Sequence, residues 1–196
     1  MAKRMMAVQR AQSLLASAGM DGLQIHRFRL NKSAWLLLIP MPQRSIDQAR
    51  HCFAFEQDFI GNWRCIPLCV RRKLDLSGVK LRLNHWLALS QQQRQELVDW
   101  ADDLKALDLL RDHLRLCTAA MAEGMVTDLP VASAEPWQCS DQLPDLLLEA
   151  AQRRRIPLAL DRWAGLSELE RFALCKLARP GHDHHNLEAA FSEVLG

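Results

Sequence analysis

The chain has 196 residues, of which 49% are hydrophobic and 24% charged, and its formal net charge is +2. That length suits one domain with a small attachment, and the composition is that of a globular protein with a real core. A charge so near zero gives no electrostatic ground for nucleic-acid binding, and no apolar run approaches the roughly 20 residues of a membrane helix.

The first stretch, "MAKRMMAVQRAQSLLASAGM", begins basic, but Gln9, Arg10 and Gln12 interrupt what would have to be a continuous apolar segment in a signal peptide. It reads as an amphipathic helix that stops at "AGMDG", and a cytoplasmic protein is expected. "LQIHRFRL" then alternates apolar and polar residues, "NKS" supplies a turn, and "AWLLLIP" reads as a second strand, which together predict a hairpin. "RSIDQAR" predicts a further helix from Ser45. Residues 1–50 are thus expected to form a small αββ appendage, and 51–196 a helical domain.

From Phe53 the pattern is helical. In "DFIGNWRCIPLCVRRKLDLSG", Ile66, Cys69, Val70 and Leu74 recur near helical spacing, and "LSG" at Leu76–Gly78 is a stop. Pro67 fits the first turn, where a missing N–H costs nothing. Residues 90–123 read as one long helix or as two broken around Asp102–Asp103. "MVTDLPVASAEPW" reads as a linker, and a last helical part follows from about Leu143. The six cysteines show no CxxC; they are expected to be buried thiols, the Cys65/Cys69 pair included, rather than metal ligands.

One sentence of the sequence is written twice. "LRLNHWLALSQQQRQEL" (81–97) returns 77 residues later as "LALDRWAGLSELERFAL" (158–174), identical at seven of seventeen positions. Each copy follows a helix ending in basic residues ("VRRKLDLSG", "EAAQRRR") and a short extended link ("VKL", "IPL"). Asn84 or Asp161 is expected to cap a turn carrying Trp86 or Trp163. Ser90-x-x-Gln93 and Ser167-x-x-Glu170 are both capping boxes. The pattern predicts a mainly α fold built on a duplicated helix–link–turn–helix unit, spanning 70–98 and 147–175. Trp86 and Trp163 are expected to anchor its core.

Candidates for chemistry are few. Arg71–Lys73 and Arg153–Arg155 admit phosphate contacts by a helix-turn-helix-like regulator, or solvated helix ends that compensate the dipole. Acid in "SQQQRQELVDWADDLKALD" disfavours the first reading, so no nucleic-acid partner is expected. In "RPGHDHHN", His182, Asp183, His184 and His185 admit a metal site, but three histidines behind Pro-Gly fit a turn better, with Asp183 or Asn186 capping the helix "LEAAFSEVL". No nucleophile motif, phosphate loop or dinucleotide fingerprint is present. The chain is expected to be no enzyme and to carry neither metal nor cofactor.

"FAFEQDFIGNWRCIPLCVRRKLDLSGVKLRLNHWLALSQQQRQEL" and "ERFALCKLARPGHDHHN" together resemble the nitrate-reductase-associated proteins over about residues 53–196. Family-like positions include Phe55, Glu56, Arg64, Lys73, Asp75, Gly78, Trp86, Trp163, Arg171, Lys176, Arg179, His182 and Asn186. The resemblance implies a non-catalytic accessory protein for the molybdoenzyme nitrate reductase, serving its activity and, in one version, insertion of its molybdenum cofactor. Residues 1–50, His184 and His185 depart from the family pattern. Polar family-like residues that packing does not require are then the expected partner contacts: Arg64, Lys73, Asp75, Arg179, His182 and Asn186. The alternative for some of them is an internal ion pair such as Asp75 with Arg179.

Overall fold

A computed structural model describes residues 46–179 and 185–196. The expected αββ appendage therefore lies outside the described residues, except for its last few. There, Asp47 accepts the N–H groups of Arg50 and His51 in a single turn, where a helix from Ser45 was expected.

A 3-10 turn at Ala54–Glu56 runs into α1 (Gln57–Ile60). Pro67 is the N-cap of α2 (Leu68–Ser77), one residue outside the first turn; lacking an N–H, it leaves no donor unmatched there. Gly78 ends the helix in the left-handed region at φ 66°. β1 (Val79–Lys80) pairs antiparallel with β2 (Thr127–Asp128), Val79 opposite Asp128, so the expected linker contributes a strand. Its Trp137 is also buried. The second link, "IPL", forms no strand.

α3 (Leu83–Ala88) and α4 (Gln91–Asp99) follow, then α5 (Leu104–Thr118), so the stretch after Ser90 is indeed broken at Asp102–Asp103. Asp103 caps α5 by accepting the Ala106 N–H at 3.1 Å. The second half contains α6 (Asp145–Arg153), α7 (Leu160–Ala164), α8 (Glu168–Leu177) and α9 (His185–Leu195). The fold is mainly helical. Asn84 and Asp161 are not caps: α3 and α7 begin earlier, from Arg82 and Ala159.

The same local devices recur at the offset of the repeated sentence. Pro67 and Pro144 both stand at N-caps. Gly78 and Arg155 both adopt left-handed backbone. Ser90 accepts the Gln93 N–H and Ser167 the Glu170 N–H, each at 3.2 Å, while Gln93 and Glu170 return the bond. Trp86 and Trp163 are fully buried. Their indole N–H groups donate to the carbonyls of Trp63 and Cys139, each at 2.9 Å. One further matched pair was not among the expected features. Arg94 and Arg171 lie over the two indoles, at 5.8 and 5.9 Å, and donate to the carbonyls of Leu89 and Leu166. Each arginine thus ties a helix to the turn before it and screens the face of a tryptophan.

The core contains Trp86, Trp137 and Trp163, with Phe53, Phe172 and Phe191 among the large buried side chains. α2 packs on α4, α5 and α8, and α9 packs on α8 and on the 3-10 turn. α2 is therefore the element on which both halves meet.

Candidate functional site

A helix surrounded on three sides must dispose of any charge its sequence contains. Arg71, Arg72 and Lys73 lie within α2 rather than at its end, and only Arg71 reaches solvent. The expected solvated helix terminus is thus corrected for this copy. Arg72 is 2% exposed and bridges Asp102, in the α4–α5 connection, and Glu168, in the first turn of α8 at 2.8 Å. Lys73 donates to the carbonyls of Val98 and Trp100 at 2.8 Å each, satisfying groups that α4 leaves open at its C-terminus. Burial pushes its amine down to about 8, against the opposing pull of charges including Asp102. Both cations hold elements together, since a buried charge is tolerated only when paired.

Glu56 has the same internal role on the acidic side. It is 1% exposed, and its two carboxylate oxygens accept the N–H groups of Phe53, at 3.2 Å, and Leu68, at 2.9 Å. It staples the incoming chain to the start of α2. Burial pushes its carboxyl up to about 7 despite those two bonds, with Glu193 adding to the rise and Arg71 opposing it. The folded state therefore holds the proton more tightly than the unfolded chain, whose carboxyl titrates near 4.5. This contribution to stability is full below about pH 4.5 and is lost as pH rises through 7. Between pH 5 and pH 8 the wild type should lose on the order of 2 kcal/mol from this group. Urea unfolding across that range should show the slope flattened in Glu56→Gln; an unchanged slope would reassign it to other groups.

Two regions far apart in sequence meet at the same end. Glu193 of α9 accepts the N–H groups of Ala54 and Phe55 at 2.9 and 3.0 Å, and Asn186 Nδ2 donates to the Phe55 carbonyl at 3.3 Å. Lys176 of α8 pairs with Asp75 of α2 at 2.7 Å. The family-like stretch around Phe53–Asp75 is thereby bonded to the one around Lys176–Asn186.

The expected contact residues divide accordingly. Lys73 is buried, so its assignment to a partner surface is corrected: its ammonium is committed to two carbonyls. Asp75 is ion-paired internally, with Lys176 in place of the expected Arg179. Asn186 lies inside α9 and is not its cap; its amide is bonded to Phe55. His182 and the rest of 180–184 lie outside the described residues, as does the expected cap Asp183. Arg179 is exposed at the end of α8. Arg64 is exposed but not loose: its Nε donates to Asn62 Oδ1 at 3.1 Å and its Nη2 to the Asp58 carbonyl at 3.5 Å. Before it, Trp63 stands at φ 60°, and its carbonyl receives both Trp86 Nε1 and Arg94 Nη1. Among the described residues, Arg64 and Arg179 are the two expected contacts that are exposed.

Glu56 stood out in the sequence only as a family-like position and Arg72 only as part of a basic run; Asp102, Glu168 and Glu193 were not expected as bonding partners. The matched Arg94 and Arg171 were legible, because both fall at the offset of the repeat. The others carry little local signal, since each also has a partner distant in the chain.

Fold and site together define a mainly helical protein in which some motif charges, Glu56, Arg72 and Lys73 among them, are bonded inside the fold and arginines are left at the surface. The chain belongs to the family of conserved nitrate reductase-associated proteins, whose pattern it matches over residues 52–194. No curated protein and no solved structure matches it.

Proposed function

We propose that this protein is a non-catalytic accessory factor that supports nitrate reductase by direct contact in the cytoplasm, with molybdenum-cofactor insertion as the step it serves. The observation that carries this reading is the disposition of the motif cations. Arg72 and Lys73 are engaged inside the fold, whereas Arg64 is exposed and held in place by its own loop. An arginine fixed in advance loses little entropy when it meets a carboxylate or phosphate as a two-pronged donor. The family match supports nitrate reductase as the partner.

The same disposition favours contact over carriage of the cofactor. A pterin phosphate would need cationic donors, and the buried cations of α2 already have carboxylate and carbonyl partners. It would have to meet cations at the surface, such as Arg64, Arg71 or Arg179. Among the described residues no helix is long and apolar enough to cross a membrane. A phosphate-tracking role for "VRRK" is weakened by the burial of Arg72 and Lys73. Cys117 Sγ lies 3.4 Å from His113 Nε2, but there burial, aided by Glu96, pushes the thiol up, away from an attacking thiolate.

Charge reversal tests the contact. In a strain lacking this protein, Arg64→Glu or Arg179→Glu should restore nitrate reductase activity less well than the wild type, with the captured complex weakened about tenfold, equivalent to ~1.4 kcal/mol. Circular dichroism should show both variants folded. Full nitrate reductase activity in the deletion strain would end the accessory reading; lost activity with no complex captured by crosslinking would end direct contact.

A further inference from the structure

The Glu56 staple has a chemical consequence. It bonds Phe53 to Leu68, and the neighbours of those residues are Cys52 and Cys69. Their sulfurs lie 3.9 Å apart, joined by an S–H···S contact, although the residues are 17 positions apart in the chain. Cys69 is fully buried on the first turn of α2, whereas Cys52 is half-buried in the segment before the 3-10 turn. We propose that Cys52 and Cys69 are a peroxide-reactive dithiol, with Cys52 as the attacking sulfur and Cys69 as the resolving one.

Access and charge assign the roles. A reactive cysteine needs an approach from solvent and a stabilised thiolate, while a resolving cysteine needs only its partner. Cys52 meets the first condition by exposure. The hydrogen bond from Cys69 pushes its thiol down, the Lys73 charge helps, and burial with Glu56 and Asp99 opposes. That same bond and burial push Cys69 up, which keeps its proton in place as the donor. Cys175, by contrast, is raised to about 12 by burial.

The chemistry balances with one hydroperoxide. The Cys52 thiolate attacks the terminal peroxide oxygen; the O–O bond breaks, and water or an alcohol leaves once protonated. Cys52 becomes a sulfenic acid. Cys69 then attacks the Cys52 sulfur as its own proton passes to the departing hydroxyl, which leaves as water. Two thiols are oxidised by two electrons and the peroxide is reduced by two. Closing from 3.9 Å to a bond of about 2.05 Å needs roughly 2 Å of travel, and Cys52 lies outside any helix or strand. The product ties the incoming segment covalently to α2.

Reduced full-length protein should be titrated with hydrogen peroxide, blocked with iodoacetamide and read by intact mass and peptide mapping. One equivalent should remove two hydrogens and link the peptides containing Cys52 and Cys69. In Cys69→Ala, Cys52 should stop as a sulfenic acid that dimedone traps. In Cys52→Ser, peroxide consumption should fall at least about tenfold, because burial holds the Cys69, Cys117 and Cys175 thiols up. Circular dichroism on each variant separates loss of fold from loss of reactivity; if Cys69→Ala is unfolded, Cys69→Ser takes its place. Oxidation spread evenly over the six cysteines, or a Cys52 sulfenic acid that persists unlinked in the wild type, would overturn the proposal.

Discussion

Arg72→Ala should destabilise the fold by about 3 kcal/mol, the range for breaking a buried ion pair from one side. Arg72 is 2% exposed and joins three elements, while Asp102 and Glu168 keep 24% and 29% of their side-chain surface. Removing the arginine leaves two carboxylates repelling each other at the junction of α2, α5 and α8. Their partial contact with water sets the expected loss at the low end. Arg72→Met, which fills the same space, should recover little while both acids remain. Combined with Asp102→Asn and Glu168→Gln it should recover much of the loss, because a neutral junction no longer contains unpaired charge. Urea unfolding of the four proteins measures this directly. If Arg72→Ala stays within about 1 kcal/mol of the wild type, in the range of an exposed ion pair, the bridge does not organise the junction.

The second large effect lies at the two left-handed helix ends. Gly78, at φ 66°, has no space for a side chain: an added Cβ would fall 2.6 Å from the Leu129 carbonyl oxygen and 3.0 Å from Val131 Cγ2. That approach is fixed, because the Leu129 N–H donates to the Gly78 carbonyl at 2.9 Å and the Ala132 N–H to that of Asp75 at 3.0 Å. Gly78→Ala therefore adds backbone strain of about 1–2 kcal/mol to a clash with main chain, for a total loss of about 3 kcal/mol. Arg155 occupies the same position in the second copy at φ 58°, with an exposed side chain. Arg155→Gly should raise stability by about 0.5 kcal/mol, the relief of strain less the extra entropy of glycine in the unfolded chain. Thermal melts of the two single variants should move in opposite directions; equal small shifts would mean that these helix ends are not what holds β2 and its neighbours on α2.

Much of this architecture was written locally. The capping boxes at Ser90 and Ser167, the stop at Gly78, the break before Asp103 and the buried tryptophans all follow from residues within a few positions of one another. Each is a short-range rule of backbone hydrogen bonding or periodicity, and a sequence displays such rules directly. The family, too, was legible, because its motifs are contiguous stretches. The false caps at Asn84 and Asp161 show the limit: a residue type that favours a cap does not decide where a helix starts when preceding residues can extend it.

The fate of the charges was decided only by the tertiary structure. "VRRK" reads the same whether its side chains face water or a core, and the difference came from α5 and α8 packing on α2 from distant parts of the chain. Burial turned Arg72 and Lys73 from candidate contacts into internal ties, exchanged Arg179 for Lys176 as the partner of Asp75, and left Arg64 and Arg179 outside. It also raised the Glu56 carboxyl and brought the Cys52 and Cys69 sulfurs to 3.9 Å. Desolvation and ion pairing depend on what lies within a few ångströms in space. The order of residues sets helices and their ends; which charges a partner can reach is set by how those helices pack.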